Sequence, residues 1–178
     1  SSAAQKEAQE IMKSSHNLLK PSAGEPIMVP HQDMILGCYY LTKLTKGKKG
    51  EGMAFGDINE AMLAYQLGEL HIQAQIIARV NGELKETTLG RWIFNTFIPE
   101  KLRYKNEAFG KKQLGELFIQ CFNICGGKAT ALLGDDLKRL GFMFATQSGL
   151  SIAASDMIVP EIKGDVIARS SEKVKKIS

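Results

Sequence analysis

An α+β fold, mostly helical with a small antiparallel sheet and arranged as two packed lobes, is predicted by three features of this 178-residue sequence. First, residues 70–80 alternate. Leu70, Ile72, Ala74, Ile76, Ala78 and Val80 point one way, and His71, Gln73, Gln75 and Arg79 the other, as in a half-buried strand. Second, Asn81-Gly82 follows at once, a strong short-range hairpin signal, so residues 83–87 should pair back. Third, apolar residues elsewhere recur at helical spacing, and a hydrophobic content of 44% suffices for a core.

In chain order, residues 5–19 predict a helix with Ala8, Ile11, Met12 and Ser15 on one face, ended by the polar group Ser14, Ser15, His16 and Asn17. Pro21, Pro26 and Pro30 come next. Each fixes its φ near about −65°, removes a donor and biases the preceding residue toward extended geometry. An ordered, extended loop is expected, delivering Gln32 and Asp33 just before an apolar run from Met34 to Leu41. Loops of this kind often carry function. Residues 33–44 predict a short buried helix, although Tyr39 and Tyr40 leave a strand open. The basic tip KGKKGEG at residues 46–52 lacks GKS or GKT and is no phosphate-binding P-loop.

Asp57 caps the next predicted helix, with Glu60 as capping-box partner, a stripe of Ile58, Ala61, Met62 and Tyr65, and a stop at Gly68. Thr87 or Thr88 caps another that runs to about Phe97 and is halted by Pro99, with Trp92, Ile93 and Phe97 inward. Residues 111–125 bring Leu114, Leu117, Phe118, Cys121 and Phe122 inward; Gly126-Gly127 breaks the helix, and residues 128–146 resume it. A lobe boundary is expected between residues 99 and 111. Last, Val166, Ser170, Val174 and Ile177 repeat at heptad-like spacing, a seam that either docks on the domain or begins a coiled coil.

Composition narrows the chemistry. A net charge of +4 permits nucleic-acid contact without demanding it. Three cysteines argue against a disulfide framework. No apolar run approaches the roughly 18–20 residues of a membrane span, and no signal peptide opens the chain, so a cytoplasmic protein is expected. Asp135 and Asp136 are adjacent on a helix and diverge by about 100°, which fits a solvated face better than a metal site. His16, His31 and His71 have no metal-ligand spacing, and Cys121 and Cys125 lack a completing pair. Cys38 lies in an apolar run, where a neutral buried thiol is expected. No catalytic or metal-ligating residue is assigned. Asn17, Gln32 and Asp33 frame the proline-rich loop and are candidate contacts, with a structural alternative: Asp33 caps the helix that follows and Asn17 closes the one before. Arg91 is a fourth candidate, or the partner of an internal ion pair.

The same residues carry a resemblance. The stretch NLLKPSAGEPIMVPHQDMILGCYYLT, then GEGMAF, TTLGR and QSGLSIAASDMIVPE in that order, is similar to the largest, β′, subunit of bacterial RNA polymerase after its magnesium-binding NADFDGD motif. The resemblance implies an internal piece of a much larger subunit, with NADFDGD upstream of Ser1. It implies that residues 1–104, with the loop 17–33 and hairpin 70–87, belong to the pore domain. Residues 105–178 would be a helical part of the funnel domain, ending in a truncated coiled-coil helix. Asn17, Gln32, Asp33 and Arg91 would then lie near the RNA 3′ end and incoming nucleoside triphosphates. Mg²⁺ would be bound outside this chain, so the piece alone is inactive. Partners would be the rest of β′, the other polymerase subunits, RNA and DNA, with no membrane. An autonomous RNA- or protein-binding module is the competing expectation, supported by the mild basicity and the KGKKGEG tip. Against it stand the lack of an aromatic-rich strand and of a continuous basic stripe.

Overall fold

A computed structural model describes residues 1–177. Three strands, β1 (Ala54–Phe55), β2 (Gln75–Val80) and β3 (Glu83–Thr88), form one sheet in that order. Asn81 at φ 51° and Gly82 at φ 86° provide the two left-handed residues of a tight hairpin turn. β2 and β3 accordingly pair antiparallel from Val80–Glu83 to Gln75–Thr88. The expected antiparallel sheet is therefore present but gains a third strand: Ala54 and Phe55 pair parallel to Ile77 and Ala78, so the sheet is mixed. Two residues are too few to show alternation in a sequence.

The predicted strand over residues 70–80 is shortened to β2. Leu70, Ile72 and Ala74 are buried as the alternation requires, yet their segment leaves the ladder. Its backbone bonds other loops instead: His71 N donates to Lys49 O at 2.9 Å, and Gln73 O accepts from Thr45 N at 3.0 Å.

Six helices are described: α1 (Ser2–Glu7), α2 (Asp33–Thr42), α3 (Ile58–Gln66), α4 (Leu89–Phe97), α5 (Lys111–Ser148) and α6 (Lys163–Ile177). The predicted helix over residues 5–19 is not continuous. A π-helical turn over Ala8–Met12 and a 3-10 turn over Ser14–His16 follow α1, and Ile11 and Met12 are 64% and 76% exposed. With no apolar face covering them, those residues lose the packing that sustains short helices. Asn17 and His16 side chains bind the carbonyls of Ile11 and Glu10, competing with the helical ladder.

Asp57 caps α3 as expected, accepting from Asn59 N at 2.6 Å and Glu60 N at 3.2 Å, while Glu60 reaches back to Gly56 N. Thr88 caps α4 through Arg91 N at 3.1 Å. The buried face of α4 is rotated from expectation. Leu89, Gly90, Phe94 and Asn95 are buried, Trp92 and Ile93 are half-buried, and Phe97 is exposed. The cap at Thr88 fixes the start of the helix, and positions 90, 94 and 98 then share the inner face.

α5 breaks where predicted, at Gly126 (φ 80°, ψ 173°). The break lets both halves face one core: Leu114, Leu117, Phe118 and Cys121 from the first, Leu133, Leu137, Leu140 and Phe144 from the second. Phe122 is half-buried, less than expected. By length and composition α5 is long and apolar enough to cross a bilayer, contrary to the expectation that no run approached that. Its buried stripe packs instead on Cys38 and Leu41 of α2 and on Phe94, Ile98, Leu102 and Phe109. A second cluster, with Ala61, Leu70, Ile76, Ala78, Val80 and Leu89, lies between the sheet and helices α3 and α4. Tyr65 and Ile93 border both clusters and join them.

Residues 149–176 are exposed throughout, so α6 docks on nothing among the described residues. Ser178 and the side chain of Ile177, at the end of the predicted heptad seam, lie outside the described residues.

Candidate functional site

The proline-rich loop is anchored at both ends. Leu18 and Pro30 are buried, and Met28 and Val29 pack against the helical core. It is not extended throughout, as predicted, but folds back as a small hairpin. Leu19 bridges Pro26, Lys20 N donates to Glu25 O at 2.8 Å, and Ile27 N donates to Leu18 O at 2.8 Å. Prolines cannot donate, so Lys20 and Ile27 supply the ladder bonds around them. A 3.1 Å Lys20–Glu25 ion pair closes the end. Between this hairpin and the start of α5 lies an open groove of about 660 Å³, lined by Lys20, Pro26, Val29, Lys111, Lys112 and Ile119.

Residues 28–32 then lead into α2. Gln32, not Asp33, is the N-cap residue, at φ 44°, ψ −115°, and its side chain makes no capping hydrogen bond. Asp33 is the first helical residue, so its expected capping role is corrected; its charge there suits the positive end of the helix dipole. Both side chains are exposed. Asn17 is exposed too, but its amide donates to the carbonyls of Ile11 and Lys13 and closes the N-terminal segment.

Arg91 sits elsewhere. Its Nε donates to Thr42 O at 2.9 Å, and Nη1 donates to Asn106 O at 3.1 Å and Oδ1 at 3.2 Å. Carbonyls thus take the place of the internal ion pair envisaged as the alternative, and the cation stabilises the C-terminal end of α2. Burial lowers its pKa, against the pull of Tyr104 and Glu107. Gln32 and Arg91 therefore mark opposite ends of a ten-residue helix, about 15 Å apart at 1.5 Å per residue. The structure brings Gln32 and Asp33 together on one exposed edge and leaves Asn17 and Arg91 in bracing roles.

Burial pushes the Cys38 thiol up to about 12 and raises that of Cys121. Lys138 bonds Asp135 at 2.8 Å and holds its carboxyl below the usual range. Among the described residues no group of three His, Cys, Asp or Glu side chains converges.

Three residues that hold this scaffold were missed. Thr42 Oγ1 donates to Cys38 O at 2.7 Å and accepts from Phe109 N at 2.8 Å. Gln73 Nε2 donates to Tyr40 O at 2.7 Å. Asn95 clamps Lys105. For Asn95 no local signal existed: its helix face carries Arg91 four residues earlier, and Lys105 lies ten residues further on.

The chain matches the family described as RNA polymerase Rpb1, domain 3, over residues 17–157. It is similar to proteins named DNA-directed RNA polymerase subunit beta'. That of Desulforudis audaxviator is 43% identical over 178 residues, which is 99% of this chain and 15% of the relative. That of Desulforamulus reducens is 43% identical with the same coverage, and that of Heliobacterium modesticaldum 40% identical over 196 residues, 99% of this chain and 17% of the relative. The chain thus spans about 15% of the length of the first curated relatives it matches. A family match across the anchored loop, both clusters and the kinked helix leads to one conclusion: the chain belongs to the RNA polymerase Rpb1, domain 3 family.

Proposed function

We propose that this chain is part of the largest subunit of a DNA-dependent RNA polymerase and lines the pore through which nucleoside triphosphates enter and backtracked RNA leaves. Residues 1–104 form the pore domain and residues 105–178 the start of the funnel domain, in a cytoplasmic enzyme associated with DNA. The rest of the subunit and the other polymerase subunits are its partners. The carboxylates that hold catalytic Mg²⁺ lie outside these residues, and this segment shapes the route rather than performing nucleotidyl transfer.

One observation carries the assignment of Gln32 within that route. An exposed side chain, with no hydrogen-bond partner among the described residues, sits on a backbone at φ 44°. Such a conformation costs on the order of 1–3 kcal/mol and concentrates at ligand-contacting positions. A primary amide there offers both a donor and an acceptor to ribose or base edges without adding negative charge. Asp33 beside it is the second candidate contact.

Two variants separate this role from a structural one. Gln32→Gly relieves a backbone strain of about 1–3 kcal/mol at an entropic cost of about 0.5–1 kcal/mol, so the stability of the chain should rise or stay level. Within the assembled polymerase, both Gln32→Gly and Gln32→Ala should alter elongation or pausing while leaving assembly intact. Loss of assembly with normal elongation in whatever enzyme forms would assign Gln32 a structural role instead. A further expectation concerns the chain by itself: mixed with primer-template, nucleotides and magnesium, it should give no extension above background. Clear extension would overturn the proposal.

A further inference from the structure

His71 stands apart from the loop and helix edge just described. Its ring Nδ1 accepts a hydrogen bond from Gln73 N at 3.1 Å, so the neutral ring carries its proton on Nε2. Gln73 is 6% exposed and is a knot of four hydrogen bonds. Its N–H goes to His71, its O accepts from Thr45 N at 3.0 Å, its Oε1 accepts from Thr45 Oγ1 at 3.0 Å, and its Nε2 donates to Tyr40 O at 2.7 Å. His71 N itself donates to Lys49 O at 2.9 Å. Residues 71–73 therefore fasten the basic tip over residues 46–52 to α2 and to the sheet. Every other acceptor in the knot is a carbonyl or a side-chain amide oxygen, none of which titrates near neutrality. One atom in it does.

We propose that His71 is an acid-opened latch: protonation of Nδ1 removes the acceptor that holds Gln73 N–H and loosens the knot that joins Thr45, at the base of the tip over residues 46–52, to α2. A protonated Nδ1 presents a second N–H to the Gln73 N–H, which turns an attraction into a repulsion. Burial, and then Lys48 on the tip, both lower the pKa of the ring below its ordinary 6.5. Lys49 is engaged by Glu69 at 3.0 Å, leaving Lys48 as the tip charge that acts on the ring. The neutral ring is the folded form, so the latch is closed above pH 6.5 and opens as pH falls through the folded pKa. Opening loosens Thr45 at the base of the tip, while Lys49 O and Gly52 N keep their bonds to His71 N and Gln75 O.

The test uses the 178-residue chain and its His71→Asn variant. An asparagine side-chain oxygen accepts from the N–H two residues on, so it closes the same turn without titrating. Amide exchange at Gln73 and Thr45 is compared between the two proteins at each pH from 7.5 to 5, which cancels the intrinsic pH dependence. The wild-type-to-variant ratio should rise on acidification by about tenfold for each unit by which the folded pKa of His71 lies below 6.5. A flat ratio overturns the proposal. Should the variant fold poorly, the wild-type chain decides alone. The Gln73 and Thr45 amide shifts must follow the His71 ring titration with the same midpoint, and independence of the two sinks the latch.

Discussion

Gly37→Ala is expected to destabilise the chain by about 3 kcal/mol or more, the upper end of the usual cost of overpacking. For a chain of this size that lowers Tm by roughly 6–12 °C. α2 crosses the second half of α5 at Gly37 and Gly141, backbone on backbone. A Cβ at Gly37 would overlap the Gly141 carbonyl oxygen and lie 2.6 Å from its carbon and 2.8 Å from Ala145 N. The reverse holds as well, since a Cβ at Gly141 would meet Met34 O at 2.6 Å and its Cα at 2.7 Å. No rotamer change relieves a clash between backbones. The helices must separate, which opens the packing of Cys38 and Leu41 on Leu137, Leu140 and Phe144. Helix propensity pulls the other way, because alanine is favoured over glycine by about 1 kcal/mol within a helix. The steric term is the larger and sets the sign. Gly115→Ala in α5 is the control. Nothing lies within 4 Å of a Cβ there, so propensity acts alone and stability should rise by up to about 1 kcal/mol. Urea or thermal melting of the two variants decides the matter, and a Gly37→Ala chain melting at or above the parent would refute the close crossing. Because Gln32 is the N-cap residue of α2, the same substitution should also displace the exposed edge proposed to face nucleotide.

What could be read from residues was local. The Asn81-Gly82 turn, the Asp57 and Thr88 caps and the break at Gly126 each depend on chemistry within a few positions, and each stands where expected. The failures have physical causes of a different kind. The helix over residues 5–19 had the right periodicity but no partner to bury it, and periodicity alone does not hold a short helix. Arg91 was legible as a cation near a helix start. Its partners, Thr42 O and Asn106, are far away in sequence, so its bracing role was not legible. The strained φ of Gln32 was equally hidden, since nothing in PHQDM requires a left-handed glutamine. The proline count marked the loop as ordered but not its hairpin, which depends on which N–H groups remain free to pair. For the site, therefore, composition located the loop, and only the fold separated Gln32 and Asp33 on an exposed edge from Asn17 and Arg91 in the scaffold.

Asn95→Leu should cost about 2–4 kcal/mol, although it places an apolar side chain of similar size on a buried helix face. Asn95 is 2% exposed and its amide makes three hydrogen bonds. Nδ2 donates to Arg91 O at 2.8 Å and Lys105 O at 2.7 Å, and Oδ1 accepts from Lys105 N at 2.8 Å. Leucine can replace none of these bonds. The N–H and C=O of Lys105 would then lose their partners, and each buried orphan costs about 1–3 kcal/mol. Lys105 is only half-buried, so water recovers part of that loss, and the gain from leucine burial offsets a little more. The damage should spread along the chain. Residues 104–106 also carry Tyr104 Oη and Asn106 Oδ1 against Thr87 Oγ1, and Asn106 against Arg91. Once Lys105 is unpinned, the brace from Arg91 to Thr42 at the end of α2 loosens too. Amide exchange should therefore accelerate first at residues 104–106 and at Thr87, ahead of the helical core. A variant that melts within about 0.5 kcal/mol of the parent, with exchange at those residues unchanged, would mean that the clamp contributes nothing to stability.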